Sequence, residues 1–397
     1  MVHYYPEADR LTLRRPSTNL WSMSTYLDHA ATTPMRAAAL EAMLPFEDVL
    51  YANPSGSHRF ARQARRAIDE ARDHVAEVVG CKPGEVIFTS GGTEGDNAAI
   101  VGAIRKLGGI SVCPAAEHHA VLHCVEHHGG VVVGVTPTGT VDLDELAKVL
   151  SEATSPVSVV SVMAVNNEVG SITPMREVAR VVREHAPHAV LHTDAVQAAC
   201  WVDLRELTPL VDVLTLSSHK FGGPKGVGVM VQRAGVVLDP LILGGGQERD
   251  RRSGTHNVAG IVATAIALRE TDATRVEEIE RVTKLRDRLV DDIVDQTTGC
   301  LETVPRESRV PGIAHLCFED VENESLLFLL DERDVFASAA SACASGAMEP
   351  SHVLASMGVG RRWSKGSLRM SLGHTTTDAD VDRAVGVVVE AVRQLRR

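Results

Sequence analysis

No stretch of this 397-residue chain approaches the roughly 20 consecutive apolar residues that a membrane-spanning helix needs. Nor is there a surplus of positive charge. The formal net charge of −12 argues against a general nucleic-acid binder, leaving room only for a local basic patch. No C-x-x-C pair occurs among Cys81, Cys113, Cys124, Cys200, Cys300, Cys317 and Cys343. Their odd number and scattered placing suit reduced cytoplasmic thiols better than a disulfide framework or a zinc site. Residues 1–25 lack the continuous apolar core of a signal peptide. Two readings of them stand: a poorly ordered extension, or translation that begins at Met23. There is no internal repeat and no low-complexity tail. What is present, 44% hydrophobic and 23% charged residues, is the composition of an ordinary globular protein. Its length predicts two domains.

From about Tyr26 to Leu268 apolar runs alternate with helical stretches. The runs are 85–90, 108–115, 131–137, 157–165, 189–196, 211–218 and 227–233. Strands this apolar on both faces, separated by helices such as Met175–His185, predict an α/β fold with a mainly parallel sheet. Residues 269–297 carry apolar side chains at helical spacing and read as a long amphipathic helix leaving the first domain. Beyond them "IAHLCFE" and "SLRMSLG" read as strands of a smaller α+β domain, closed by a helix from about Asp378. The expected division is 1–25 extension, 26–275 large domain and 276–397 small domain.

The chemistry-bearing segments sit where those strands end. In "LSSHKFGGPKG" a strand terminates at Ser217-Ser218-His219-Lys220 before a Gly-Gly-Pro turn. Open α/β sheets bind ligands at the carboxyl ends of their strands. A lysine there is either a solvated surface residue or a partly desolvated amine able to form a Schiff base. "FTSGGTEGDN" runs from a strand through Gly91-Gly92 into a helix, a weak anion-binding signal to which Thr93 adds a hydroxyl. It lacks the Lys-Ser/Thr of a Walker A loop. "HTDAVQ" places Asp194 at a strand end, as a helix cap or as a buried carboxylate waiting for a cation such as a protonated pyridine. His119, His123 and His127 share a helix face, but no H-E-x-x-H or completing carboxylate supports a metal site. Finally, Cys343 lies in "SAASACASGAMEPSH", a run almost without anchoring side chains. It is either an Ala-rich helix or a reactive thiol on a loosely held loop.

Ten segments, in order, resemble the cysteine desulfurases of the iron–sulfur-cluster and nitrogen-fixation type. They are "YLDHAATTP", "NPSGSHRFA", "TSGGTEGDNAAI", "EHHAVLH", "VNNEVGSI", "HTDAVQ", "SSHKFGGPKGVG", "GGGQERDRRSGT", "SACASGAMEPSHVL" and "SLRMSLGHTT". These are pyridoxal-phosphate enzymes of fold type I in the class V aminotransferase group, and the resemblance runs from Tyr26 to the C-terminus. It implies a large domain with a seven-stranded, mainly parallel sheet flanked by helices. It also implies conversion of L-cysteine to L-alanine, with the sulfur passing to Cys343 as a persulfide and then to an acceptor protein.

Residue by residue, the resemblance implies that Lys220 holds pyridoxal 5'-phosphate covalently and that His118 stacks on its ring and accepts a proton. Asp194 would pair with the ring nitrogen, and Gln197 would reach the phenolic oxygen. Gly92, Thr93, Ser217 and His219 would hold the phosphate, and Thr255 would reach the phosphate of the neighbouring subunit in a homodimer. Arg369 with Asn167 would bind the substrate carboxylate. The sequence departs from the family at Ala339-Ala340, near the usual Gly, and at Ala344, where Thr is usual; both changes are expected to alter how the loop presents Cys343. The chain stops at Arg397, where many cluster-assembly members carry a longer scaffold-docking tail, so the acceptor remains open. Selenocysteine lyase activity, transamination and a non-catalytic scaffold are the alternatives. Residues 338–347 are expected to be mobile, with a packed helix starting after Pro350 and Ser351.

Overall fold

A computed structural model describes residues 24–339 and 351–397. The expectations for residues 1–23 and for Cys343 and its immediate neighbours lie outside the described residues. The chain enters through β1 (Thr25–Tyr26). The central sheet then takes β2 (Val86–Thr89), β3 (Ile110–Pro114), β4 (Val131–Val133), β5 (Val157–Ser161), β6 (Val190–Asp194), β7 (Val213–Ser217) and β8 (Gly228–Gln232). A second sheet holds β9 (Cys300–Glu302) and β10 (Ile313–Phe318); β11 (Val335–Phe336) pairs with β1, and β12 (Ser367–Ser371) completes the second sheet.

The central sheet has seven strands in the order β2-β8-β7-β6-β5-β3-β4, as expected. β4, β3, β5, β6 and β7 run parallel, whereas β8 is antiparallel to both its neighbours. Every residue of β2, β6, β7 and β8 is buried, so these strands lack the in-and-out alternation of half-exposed ones. The helix Met175–His185 forms where expected.

The long connecting helix is Val258–Gln296, so it begins eleven residues before its amphipathic stretch. Its first turns, "VAGIVATAIAL", are apolar on nearly all sides because they are wedged in the first core, and they carry no helical stripe to read. The same helix then contributes Val282, Leu285, Leu289 and Ile293 to a second core with Leu316, Phe318, Leu368 and Val388. One element thus enters the two largest hydrophobic clusters, and the expected boundary at 275/276 falls inside it. Leu27 packs with the second cluster, although it stands at the start of the chain. Among the described residues no helix is long and apolar enough to cross a membrane.

Candidate active site

β6 and β7 pair with Asp194 opposite Thr215, so their carboxyl ends finish side by side at Asp194 and Ser217. A cavity of about 280 Å³ opens there. Gly92, Thr93, His118, Asn167, Asp194, Gln197, Ser217, His219, Lys220 and Arg369 all border it. Thr255 does not: it is exposed on the loop that precedes the helix Val258–Gln296.

Lys220 ends a single tight turn, Ser218–Lys220, directly after β7. The turn is gripped from one side by residues 30–36. Thr33 N donates to the His219 carbonyl at 3.1 Å, Arg36 N to that of Gly222 at 2.9 Å, and Arg36 Nε to that of Phe221 at 3.2 Å. Gly222 has φ of +89°, and a Cβ there would stand 2.6 Å from Arg36 Cγ, so only glycine suits the turn. The Lys220 amine donates to the carbonyls of Ala30 at 2.6 Å and Ala31 at 2.9 Å. Burial, assisted by the positive charge of Arg369, brings its pKa down from 10.5 to about 8. This desolvated amine is what separates Lys220 from a surface lysine.

Asp194 is buried, and its Oδ1 accepts the Val196 amide at 2.8 Å. It therefore caps the local turn and faces the cavity at once, so the two readings of its sequence context are compatible. Burial raises its proton affinity, while His118 and Lys220 oppose the rise. Two further buried carboxylates lie within reach of its charge, Asp96 and Glu117. Both are pushed well above the carboxylate range, first by burial and then by Asp194. Glu117 accepts the Met163 amide through one oxygen, and the other has no partner among the described residues. Neither residue stands out in the sequence, because each lies beside residues with more recognisable chemistry, Thr93 and His118.

His118 caps the helix His119–His127: its Nδ1 accepts the Ala120 amide at 3.1 Å. With Nδ1 accepting, the neutral ring carries its proton on Nε2. The side chain therefore offers a donor, and accepting a proton requires it to release Ala120. Its surroundings disfavour the charged ring, chiefly through burial, although Asp194 opposes this. His119 stacks on His123 and tilts against His352, each at 4.5 Å between ring centroids.

The part of the cavity bordered by Gly92 and Thr93 suits an anion. The helix Gly92–Leu107 points its N-terminus at it, with Thr93 in its first turn. Gly92 is needed for packing, since a Cβ would stand 2.8 Å from Val196 Cγ2. His219 Nδ1 lies 3.1 Å from Thr32 Oγ1, and burial lowers its pKa to about 4. A helix N-terminus with hydroxyls, a desolvated amine and a cavity-facing buried carboxylate are a donor set that fits pyridoxal phosphate, whose phosphate, aldehyde and pyridine nitrogen would each need one of them.

Arg369, on β12, donates through Nη1 to the Asn167 carbonyl at 2.8 Å and through Nη2 to Asp28 Oδ1 at 2.7 Å. The loop carrying Asn167 is shaped by its buried neighbour Asn166, whose Oδ1 accepts the amides of Glu168 at 2.9 Å and Val169 at 3.0 Å. Glu168 in turn accepts the Ser351 hydroxyl, and Ser351 caps the helix His352–Ser356. That helix starts where the sequence placed it. On the near side, Ser338 and Arg369 exchange backbone hydrogen bonds of 3.1 and 2.7 Å. Both described flanks of the segment containing Cys343 are thus attached to the residues around Arg369.

The loop bearing Thr255 is fixed by two ion pairs. Arg252 holds Glu94 at 2.8 and 3.0 Å. Glu248, fully buried, receives Arg72 at 2.8 and 2.6 Å and His256 at 2.7 Å. Glu248, Arg249 and Asp250 all have positive φ, of 50°, 59° and 64°. Three consecutive non-glycine residues in that region are held only by strong surrounding contacts. No glycine marks them in the sequence.

Compared with known proteins, residues 25–384 match the aminotransferase class-V family. A cysteine desulfurase IscS of Methanosarcina thermophila is 42% identical over 94% of this chain and 93% of its own. One from Dictyoglomus turgidum is 40% identical, covering 94% and 95%. A solved NifS-like protein superposes with a TM-score of 0.86 at 34% identity, covering 94% of this chain and all of that one. The amine, the carboxylate and the arginine around one cavity therefore stand in a chain that belongs to the aminotransferase class-V family.

Proposed function

We propose that the protein is a pyridoxal-phosphate-dependent cysteine desulfurase: it converts L-cysteine to L-alanine and takes the sulfur onto Cys343 as a persulfide. The observation that carries this reading is the meeting of Lys220, Asp194 and Arg369 on one cavity, in a chain whose relatives are cysteine desulfurases over nearly their whole length. When bound, pyridoxal phosphate supplies the electron sink that allows an amino acid to lose its α-proton. Lys220 Nζ takes that proton and returns it, which an amine brought to about 8 can do near neutral pH. Asp194 would stabilise the proton on the pyridine nitrogen. Gln197 would reach the phenolic oxygen, His118 would stack on the ring, and Gly92, Thr93, Ser217 and His219 would hold the phosphate.

Arg369, with Asn167, holds the substrate carboxylate and so fixes which bond faces the thiol. Cys343, as thiolate, attacks the substrate sulfur. An S–S bond forms, the substrate C–S bond breaks with its electron pair left on carbon, and the proton delivered to that carbon completes alanine. A protein thiol then accepts the sulfur. The route onward, to iron–sulfur clusters, thiolated tRNA, sulfur-modified DNA or small molecules, depends on that acceptor.

Two copies of the chain form the working enzyme, in which Thr255, exposed on its braced loop, would hold the cofactor phosphate of the neighbouring subunit. The domains divide within the helix Val258–Gln296. A cytoplasmic location suits the cysteines, none of which is disulfide-bonded among the described residues. The test is a Cys343→Ser variant with cofactor bound. It should retain the yellow colour and the spectral response to L-cysteine, but form no persulfide. Alanine and sulfide release at the wild-type rate would sink the mechanism.

A further inference from the structure

Arg369 is almost wholly buried, its side chain 5% exposed, yet it must present one face to a ligand in the cavity. A guanidinium has five N–H donors. One goes to the Asn167 carbonyl and one to Asp28, while Nε has no partner among the described residues. One donor remains on each terminal nitrogen, and these are the donors left for a carboxylate in the cavity.

Asp28 is itself well fixed. It bridges to Ser371, two residues beyond Arg369 on β12, and its carbonyl accepts the Tyr26 hydroxyl at 3.1 Å. Two and three residues later the same strap supplies the carbonyls that hold the Lys220 amine. The strap thus touches both the arginine proposed to hold the substrate carboxylate and the amine proposed to move the α-proton. The charges also interlock: Arg369 disfavours the protonated form of Lys220, and Asp28 favours it.

We infer that Asp28 is a positioning residue of the substrate-carboxylate site: its carboxylate sets the plane of the Arg369 guanidinium, so that the two remaining N–H groups face the cavity. The inference rests on the proposed reading of Arg369, and goes beyond it by naming the residue that makes the arginine selective. An ordinary structural ion pair would contribute to stability alone. A positioning carboxylate contributes to the discrimination between a carboxylate and its neutral amide.

The experiment titrates L-alanine and L-alaninamide into holoenzyme and follows the absorbance of the bound cofactor. Wild type should favour the acid. Asp28→Ala should weaken L-alanine about tenfold, the size of one lost charge-assisted hydrogen bond, and leave alaninamide within about twofold. Asp28→Asn keeps the size and a hydrogen-bond acceptor, and should lose about threefold on the acid alone. If the alanine variant does not fold, the asparagine variant decides by the same comparison. Equal losses for acid and amide, or no loss on either, would overturn the inference, as would a wild type that does not distinguish them. Alanine formation from L-cysteine by the wild type, measured separately, decides the desulfurase reading.

Discussion

The amine of Lys220 donates to the carbonyl of Ala30 at 2.6 Å, and the Gln197 side-chain amide donates to the same oxygen at 2.7 Å. One backbone carbonyl of the N-terminal strap therefore gathers two side chains from separate turns of the central sheet. The strap is anchored on β12 of the second sheet, through Ala30 N on Ser371 Oγ at 2.9 Å. The two sheets meet at this point, and the cavity is complete only where they do.

The lowered pKa of Lys220 makes a prediction for the cofactor-free protein. Burial disfavours the ammonium, so the amine is free to react from about pH 8 rather than from 10.5. Uptake of pyridoxal phosphate, read as growth of the yellow colour, should accelerate with a midpoint near pH 8. The stability consequence has a definite sign. The penalty for the buried charge is full below about pH 8 and vanishes above 10.5. Lys220→Met should therefore melt higher than wild type at pH 7, with the gap closing as pH rises through that window. A gap that widens with pH would contradict the assignment.

Glu248 should be among the costliest side chains to remove. Its loss leaves Arg72, whose side chain is 12% exposed, without a counter-charge, and frees the three residues with positive φ. Breaking one partner of a buried ion pair costs about 3–5 kcal/mol. Glu248→Ala should lower the melting temperature markedly, and Glu248→Gln by less, since it can still accept hydrogen bonds. Bonds from His256 and Arg72 outweigh burial and bring the Glu248 carboxyl down to about 2. Its contribution is therefore present above pH 4.5 and lost as pH falls toward 2. If the proposed dimer is built around this loop, the alanine variant should also shift toward monomer in size-exclusion chromatography.

The central sheet was legible because parallel strands buried on both faces leave unbroken runs such as "VLTLS". The site residues were legible as motifs, and of those among the described residues the structure places all but Thr255 on one cavity. Other features leave no such trace. The carbonyls of Ala30 and Ala31 act through the backbone, so their side chains say nothing of the grip on Lys220. The first turns of the helix Val258–Gln296 are apolar all round, which erases helical periodicity. Asp28 and Glu168 look like ordinary polar neighbours until the chain brings them to Arg369 and Ser351, 341 and 183 residues away.

Glu168 and Ser351 yield a prediction of their own. The Ser351 hydroxyl accepts the Leu354 amide at 3.1 Å and donates to Glu168, so it serves a helix cap and a buried carboxyl together. Ser351→Ala removes both bonds and should cost about 1–3 kcal/mol, the range of a lost cap plus an unsatisfied buried acceptor. Ser351→Thr, which keeps the hydroxyl, should recover much of it. Burial raises the Glu168 carboxyl to about 7 against the Ser351 bond and Arg369, which lower it. A carboxyl raised in the fold binds protons more tightly there than in the unfolded chain. Its stabilising effect is full below pH 4.5 and declines as pH rises to about 7. Glu168→Gln, which cannot ionise, should therefore gain on wild type in melting temperature between pH 5 and pH 7 and hold that gain above it. Parallel pH profiles for the two proteins would show that Glu168 does not titrate in this window.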